Sequence, residues 1–388
     1  MKILQINSFS NGSTGKIMFD IHNYLSSNGI DSYVVWARGR GSRDSHELSI
    51  NDNWGIRIHG IYTRLFDKHG FASWSATRHL ISHINDVEPD IIHIHNIHGY
   101  YLNIEILFDF LKKYGKPVVW TLHDCWPFTG HCAYFESEKC NKWRIGCYKC
   151  PQKSSYPKSI FADRSRDNWL DKRKVFEYQK LKIVCPSKWL ANYCKQSFLG
   201  KNSISVINNG IDCGIFRYYE DTSSIFAKYG LGSKPIILGV ASEWTERKGL
   251  RDLYRIQELT NNYQVVVVGL NDDQYRTVPE GIVGLKRTEN QQQLAMLYSG
   301  SKVLFNPTYE DNYPTVNLEA QACKTPVVTY KTGGSIESVP ESNVVNQGDV
   351  EGALRKIEKG ELRLGNVELN KNHMAHKYYE LYKEIHGD

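Results

Sequence analysis

The stretch Tyr309–Thr329, YEDNYPTVNLEAQACKTPVVT, decides how the rest of the chain is read. Asp311 and Glu319 stand eight positions apart on either side of Pro314. Proline suits the first position of a helix, because the N–H it lacks would have no intrahelical partner there. A helix opening near Pro314 leaves Asp311 in the preceding loop and carries Glu319 on its second turn. Its first N–H groups, around Thr315 and Val316, then face the same space as both acids. Helix N-termini bind phosphate. One acid for sugar hydroxyls, one for ribose and amides for a diphosphate are what a sugar-nucleotide enzyme needs.

Outward from this stretch, short apolar runs alternate with amphipathic ones. In the second half 235–241, 263–269, 281–285, 302–307 and 325–330 read as buried parallel strands, with helices at Leu250–Leu259, Asn290–Tyr298 and Thr315–Ala322. In the first half 2–7, 32–37, 90–95, 116–123, 182–187 and 204–208 read as strands, with helices at Ile17–Ser27, Ile104–Tyr114 and Trp189–Phe198. The βαβ rhythm predicts an α/β protein of two doubly wound, Rossmann-like domains. Their boundary falls in the Asn-Gly turn and polar stretch of 208–222. The expected domains are 1–210, with a Cys-rich insertion at 130–152, then 211–370, and a last helix from 371 to 388.

A chain of 388 residues exceeds one average core, which agrees with two domains. Hydrophobic content of 41% and charged content of 23% fit a globular protein, and no apolar run approaches a membrane span. Met1-Lys2 runs directly into ILQINSF, so no signal peptide is expected and a cytoplasmic location is. In that reducing setting clustered thiols suggest metal rather than disulfides. The net charge is +6, yet Lys139–Lys188 alone holds 14 Lys/Arg against four Asp/Glu. Such a patch suits an anionic partner, either a membrane surface or a polyphosphate acceptor.

Asp311-x7-Glu319 resembles the acidic-x7-Glu motif of the retaining glycosyltransferases of family 4, which have the GT-B fold, two such domains facing a cleft. The Asp-Asn-x-Pro form, with Asn312 and Tyr313 before Pro314, resembles a sub-branch of colanic-acid-type exopolysaccharide and O-antigen transferases. The resemblance implies Asp311 and Glu319 as catalytic acids, with Asn312, Tyr313, Thr315 and Val316 on the donor side. His123, at the end of the fourth strand in WTLHDCW, matches the family histidine that contacts the transferred sugar, and Asp124 is expected to orient it. His95, Asn96 and His98 are implied on the acceptor side, rather than a metal site with His93. Lys248 in WTERKGL matches the lysine that neutralises the donor diphosphate. The family arginine six residues earlier is Ser242 here, so Arg247 is the candidate second cation. Gly12 and Gly15 in NSFSNGSTGKI match the glycine-rich first loop, with the following helix opening at Lys16. Gly333 and Gly334, with Glu337, match a G-G-x-x-E element near the donor. No catalytic metal is implied.

Cys132, Cys140, Cys147 and Cys150 fall as C-x7-C-x6-C-x2-C. A C-x2-C knuckle with two more nearby thiols is how a tetrahedral structural zinc site is built, and His131 could replace one ligand. The turn-rich insertion has little core of its own, so a metal could hold it folded. The region 55–84 mixes Arg, Lys and His with Ile, Leu, Phe, Tyr and Trp, as a basic amphipathic helix does, either in a membrane interface or against a core.

These readings converge on an enzyme that transfers a sugar from a nucleotide diphosphate sugar to a glycan acceptor, lipid-linked, in surface polysaccharide biosynthesis at the inner face of the membrane. The rival readings are a zinc-ribbon nucleic-acid-binding protein and a GT-B relative acting as an epimerase or phosphorylase. The first leaves the second α/β half unexplained.

Overall fold

A computed structural model describes residues 1–39, 44–50 and 52–387. The chain forms two compact units, Met1–Asn208 with Met374 onward, and Asn209–His373. In the first, strands β1 (Lys2–Phe9), β2 (Asp31–Arg38), β3 (Glu47–Ser49), β4 (Ile91–Ile94), β5 (Val118–Thr121), β6 (Leu181–Cys185) and β7 (Ser203–Val206) make one parallel sheet. Its order is β3-β2-β1-β4-β5-β6-β7. In the second, β8 (Ile236–Val240), β9 (Gln264–Val268), β10 (Ile282–Leu285), β11 (Val303–Asn306), β12 (Val327–Tyr330) and β13 (Val344–Val345) follow the order β10-β9-β8-β11-β12-β13. Both sheets are doubly wound: the winding reverses between β1 and β4 in one and between β8 and β11 in the other.

Central strands such as Ile91–Ile94 and Val118–Thr121 are buried along their whole length. This is why they carry no polar alternation: helices cover both faces of a parallel sheet. Helices begin where a side chain caps them. Asn103 accepts from the Ile106 N–H at 3.0 Å to open Ile104–Tyr114, and Ser187 from the Leu190 N–H at 3.1 Å to open Lys188–Gln196. Phe108 and Leu111 of the first lie fully in the core, each stabilising the fold by about 1.5–3 kcal/mol.

Several boundaries differ from the sequence reading. The first helix spans Gly12–Ser27, a turn earlier than Lys16. Gly15 lies inside that first turn, pressed so close that a Cβ would come 2.6 Å from the Ser10 carbonyl carbon. The region 55–84 is two helices, Asn53–Phe66 and Trp74–Val87, because Asp67 and Ser73 take left-handed backbone at φ 52° and 61°. The edge strands β3 and β13 are too short to leave a pattern. The last helix, Lys371–His386, packs from Met374 onward on the first unit. There the Tyr382 hydroxyl meets His93 Nδ1 at 2.6 Å and the Tyr378 hydroxyl meets Thr121 Oγ1 at 2.9 Å.

Candidate active site

In the second unit, the loops leaving β8 and β11 flank the point where the winding reverses, the usual ligand position in open α/β sheets. Lys248 ends a 3₁₀ turn on the first loop and Asp311 lies on the second. Lys248 Nζ donates to Asp311 Oδ2. Burial pushes the Asp311 carboxyl up. The Lys248 and Arg247 charges, the Lys248 hydrogen bond and the Asn312 N–H outweigh that and hold it below the ordinary carboxylate value. The loops are also joined through backbone: the Arg247 carbonyl accepts from the Tyr309 N–H at 2.8 Å, and the Arg247 guanidinium donates to the Glu310 carbonyl. Arg247 thus lies beside Lys248 with its side chain on the acidic loop, while Ser242 is exposed at the start of its own.

Gly333 has φ 52°, and a Cβ there would sit 2.1 Å from the Asp311 carbonyl oxygen. Gly334 N–H donates to that same oxygen at 3.0 Å. The paired glycines therefore seat the Asp311 loop, and Glu337 stands on the 3₁₀ turn Ser335–Ser338 just beyond. The helix Thr315–Ala322 starts after Pro314, which has no side-chain oxygen to cap the first-turn N–H groups around Thr315 and Val316. Tyr313 and Asn312 are buried before it. Glu319, also mostly buried, accepts from the Tyr298 hydroxyl at 3.1 Å. Beneath the helix, Asn317 accepts from Asn306 Nδ2 at 2.8 Å and donates to Ser335 and Ser338 hydroxyls at 3.1 and 2.9 Å. A cavity of about 690 Å³ lies elsewhere in this unit, beside β13, lined by Lys331, Asn346, Asp349 and Arg355 among others. It gathers none of the predicted residues.

In the first unit His123 is half-buried just beyond the end of β5. Its neighbour Asp124 does not orient it as expected. Asp124 Oδ2 instead pairs with His98 Nε2 at 2.9 Å, and Oδ1 accepts from the Trp126 N–H at 2.9 Å. His95 holds His123 instead, Nδ1 to Nε2 at 3.1 Å with the rings stacked. His95 is 1% exposed, so its polar atoms serve the interior rather than a surface. Asn96 N–H donates to Asn7 Oδ1 at 3.2 Å, joining the ends of β4 and β1 where this sheet reverses. Gly12, at φ 72°, opens the helix after β1.

Cys132, Cys140, Cys147 and Cys150 all line one small cavity with Phe135 and Trp143. All are free thiols. Cys147 Sγ accepts from the Gly130 N–H at 3.2 Å. A hydrogen bond to Cys150 raises the Cys132 thiol well up and brings Cys150 down to about 7. His131 Nδ1 meets Asp67 Oδ1 at 2.5 Å, and among the described residues its buried Nε2 has no hydrogen-bond partner, the arrangement of a ligating histidine held by a carboxylate. Among the described residues no three His, Cys, Asp or Glu side chains already stand in a metal-binding arrangement.

Residues missed from sequence include Tyr298, on Glu319, and Asp252, which accepts from the Tyr309 and Tyr330 hydroxyls at 2.9 and 2.8 Å. Gln5 was missed too. A lone glutamine inside the apolar run KILQIN was a signal, since a buried amide must find partners.

The pattern of glycosyltransferase family 4 matches residues 14–214, more than half of the chain. The chain belongs to glycosyltransferase family 4. A second family pattern, glycosyl transferases group 1, matches residues 234–359. The chain is 27% identical over 364 residues, 88% of its length and 86% of the relative's, to WcaC of Escherichia coli K12, a protein named for glycosyl transfer in colanic acid biosynthesis. Its fold is similar to sucrose-phosphate synthase of Thermosynechococcus elongatus, with a TM-score of 0.71 at 14% identity over 99% of both chains. It is also similar to Anabaena HepE, solved with UDP and glucose, with a TM-score of 0.66 at 14% identity over 99% of this chain and all of that one. These likenesses establish the GT-B fold of this family 4 glycosyltransferase.

Proposed function

We propose that this glycosyltransferase moves a sugar from a nucleotide diphosphate sugar to a glycan acceptor in surface polysaccharide biosynthesis, with retention of configuration. The observation that carries the reading is the Lys248–Asp311 pair beside the uncapped start of the helix Thr315–Ala322. Lys248, Arg247 and the Thr315 and Val316 N–H groups bind the diphosphate. They stabilise the charge that develops as it leaves. Asp311 and His123 bind the sugar and Glu319 the ribose, with Gly12, Gly15, Asn312, Tyr313, Gly333 and Gly334 shaping the donor side. The acceptor hydroxyl, near Asn96 and His98, attacks from the face the nucleotide leaves, so the anomeric configuration is kept. The family membership, WcaC and the nucleotide bound by HepE support this reading over a zinc-ribbon nucleic-acid-binding protein. A thermal-shift screen with UDP-, GDP- and ADP-sugars should find one class that raises Tm. The anomeric configuration of the product then tests retention. No shift with any donor, or an inverted product, contradicts the proposal.

We further propose that the acceptor is lipid-linked and that the helix Asn53–Phe66 meets an anionic bilayer. Trp54, Ile58, Ile61 and Leu65 form one stripe on it and all are exposed, Trp54 at 73%. Only the opposite side, His59, Gly60 and Thr63, is buried. The exposed Trp74 packs on Tyr62 of the same helix, ring centroids 6.5 Å apart, and Ile160 and the 74%-exposed Phe161 follow where the Ile160 N–H donates to the Arg64 carbonyl at 2.8 Å. An apolar stripe flanked by Arg57 and Arg64 is the pattern of an interfacial helix. Among the described residues no helix is long and apolar enough to cross a membrane.

Structural zinc on Cys132, Cys140, Cys147 and Cys150 is the third part of this proposal. The donor set suits zinc, the thiols share one cavity, and the Gly130 N–H already supports Cys147. Lys172 is buried nearby, with its ammonium on the Trp126 and Thr129 carbonyls at 2.8 and 3.1 Å. Burial brings it down to about 7. A tetrathiolate centre would add to the negative charge that Asp124 and Asp67 already set near this ammonium.

A further inference from the structure

Four groups in the first unit form a hydrogen-bonded series that ends at His123. Gln5 lies on β1 with its side chain wholly buried. Its Nε2 donates to the Met18 carbonyl at 3.3 Å, so its Oε1 is the atom that meets His95 Nε2 at 3.1 Å. The opposite amide orientation would set two oxygens, Oε1 and the Met18 carbonyl, against each other with no proton between them. An amide oxygen only accepts, so the His95 proton is on Nε2. Burial lowers the His95 and His123 imidazoles, His123 to about 4, so near neutral pH each ring carries one proton. His95 Nδ1 then holds a lone pair, and the 3.1 Å contact with His123 Nε2 is donated by His123. A neutral ring with its proton on Nε2 has its own lone pair on Nδ1.

Two neighbouring groups leave this order in place. His93, whose ring lies 4.1 Å from that of His95, uses Nε2 on Thr121 and Nδ1 on Tyr382. Asp124 turns to His98 and the Trp126 N–H.

We propose that Gln5 is a positioning residue that fixes, through His95, the tautomer of His123, so that His123 offers Nδ1 as a hydrogen-bond acceptor and never as a donor. Resting on the reading that His123 meets the transferred sugar, this selects donors with a free hydroxyl at that position. A deoxy or O-methylated sugar there has no proton to give, and a sugar bearing only an acceptor is repelled.

The test is the nitrogen and proton pattern of the histidine rings in the full chain labelled with ¹⁵N-histidine, with His123 assigned by the signal lost in His123→Gln. Near neutral pH His95 and His123 should both be protonated on Nε2. Gln5→Met removes the acceptor that orders the series, and His123 should then shift wholly or partly to the Nδ1–H form. Gln5→Glu, whose carboxylate also only accepts, should keep the wild-type pattern. A proton on His123 Nδ1 in the wild-type chain overturns the proposal, as does an unchanged pattern in folded Gln5→Met. The wild-type spectrum decides the point even where Gln5→Met does not fold. If His123→Gln transfers sugar at the wild-type rate, the sugar contact is lost, whereas the tautomer result stands or falls on the spectra alone.

Discussion

Lys248 and Asp311, 63 residues apart in sequence, close a direct ion pair across the two loops that leave β8 and β11. The proposed function gives each a different task, one for the diphosphate and one for the sugar, yet in the free protein each satisfies the other. A donor that binds there must bring the diphosphate to an ammonium already shared with a carboxylate. Asp311→Ala should leave Lys248 without that partner and lower kcat by about 10²- to 10³-fold, as loss of a preorganised charged group does. Steady-state kinetics with circular dichroism as a fold control checks this; wild-type turnover by a folded Asp311→Ala chain removes Asp311 from the site.

The pair also sets a pH dependence. The Asp311 carboxyl is lowered from its ordinary 3.8 by Lys248, Arg247 and the Asn312 N–H acting against burial. A lowered carboxyl contributes stability that is complete above its unfolded value and is lost as pH falls through the folded one. The Tm gap between wild type and Asp311→Asn should therefore be widest well above 3.8 and close as pH falls below it, as read across a pH series.

Glu319 is held by the Tyr298 hydroxyl in the free protein. Glu319→Gln keeps the shape but loses the charge that a ribose diol prefers, so KM for the nucleotide sugar should rise about tenfold, the effect of one charge-assisted hydrogen bond of ~1.4 kcal/mol. Tyr298→Phe should give a smaller change in the same direction. An unaltered KM in both variants places the nucleoside elsewhere.

Zinc is checked by elemental analysis of the chain purified without chelator. About one zinc per chain is expected for a tetrahedral Cys₄ site. Cys150→Ser should lower both the metal content and Tm, and a chelator should lower the wild-type Tm to match. A chain without metal that melts as high as a zinc-supplemented one rules the site out.

The exposed stripe gives a fifth expectation. Ile58→Glu with Ile61→Glu should abolish co-sedimentation with vesicles containing anionic lipid while leaving transfer to a soluble acceptor analogue intact. Raised salt should weaken wild-type binding, because Arg57 and Arg64 supply part of the attraction. Wild-type binding equal on neutral and anionic vesicles removes the charge part of the reading.

Much of the fold is legible because parallel strands and their covering helices write strong periods. Ile104–Tyr114, Leu250–Leu259 and Thr315–Ala322 fall where their apolar spacing and turn residues place them. Ser165–Val175 is hidden, since Trp169 and Val175 stand among charges and its lysine at 172 is buried rather than solvated. The split of 55–84 depends on left-handed backbone at Asp67 and Ser73, which residues other than glycine rarely announce. The His123 surroundings mislead for a different reason. The chain bends at His123 and Asp124, beyond the end of β5, so Asp124 reaches His98, and support comes from residues 28 and 118 positions upstream, His95 and Gln5. Spacing along the chain carries no record of such contacts. The Lys248–Asp311 pairing is hidden likewise, because it arises only when β8 and β11 become neighbours.

The helix from Met374 to His386 completes the first unit's interior, setting Tyr378 and Tyr382 against Thr121 and His93. A ribosome making this chain must therefore finish the second unit before the first can seal. Until then the surface that awaits those tyrosines is open, and any nascent fragment ending before Met374 is a natural client for chaperones.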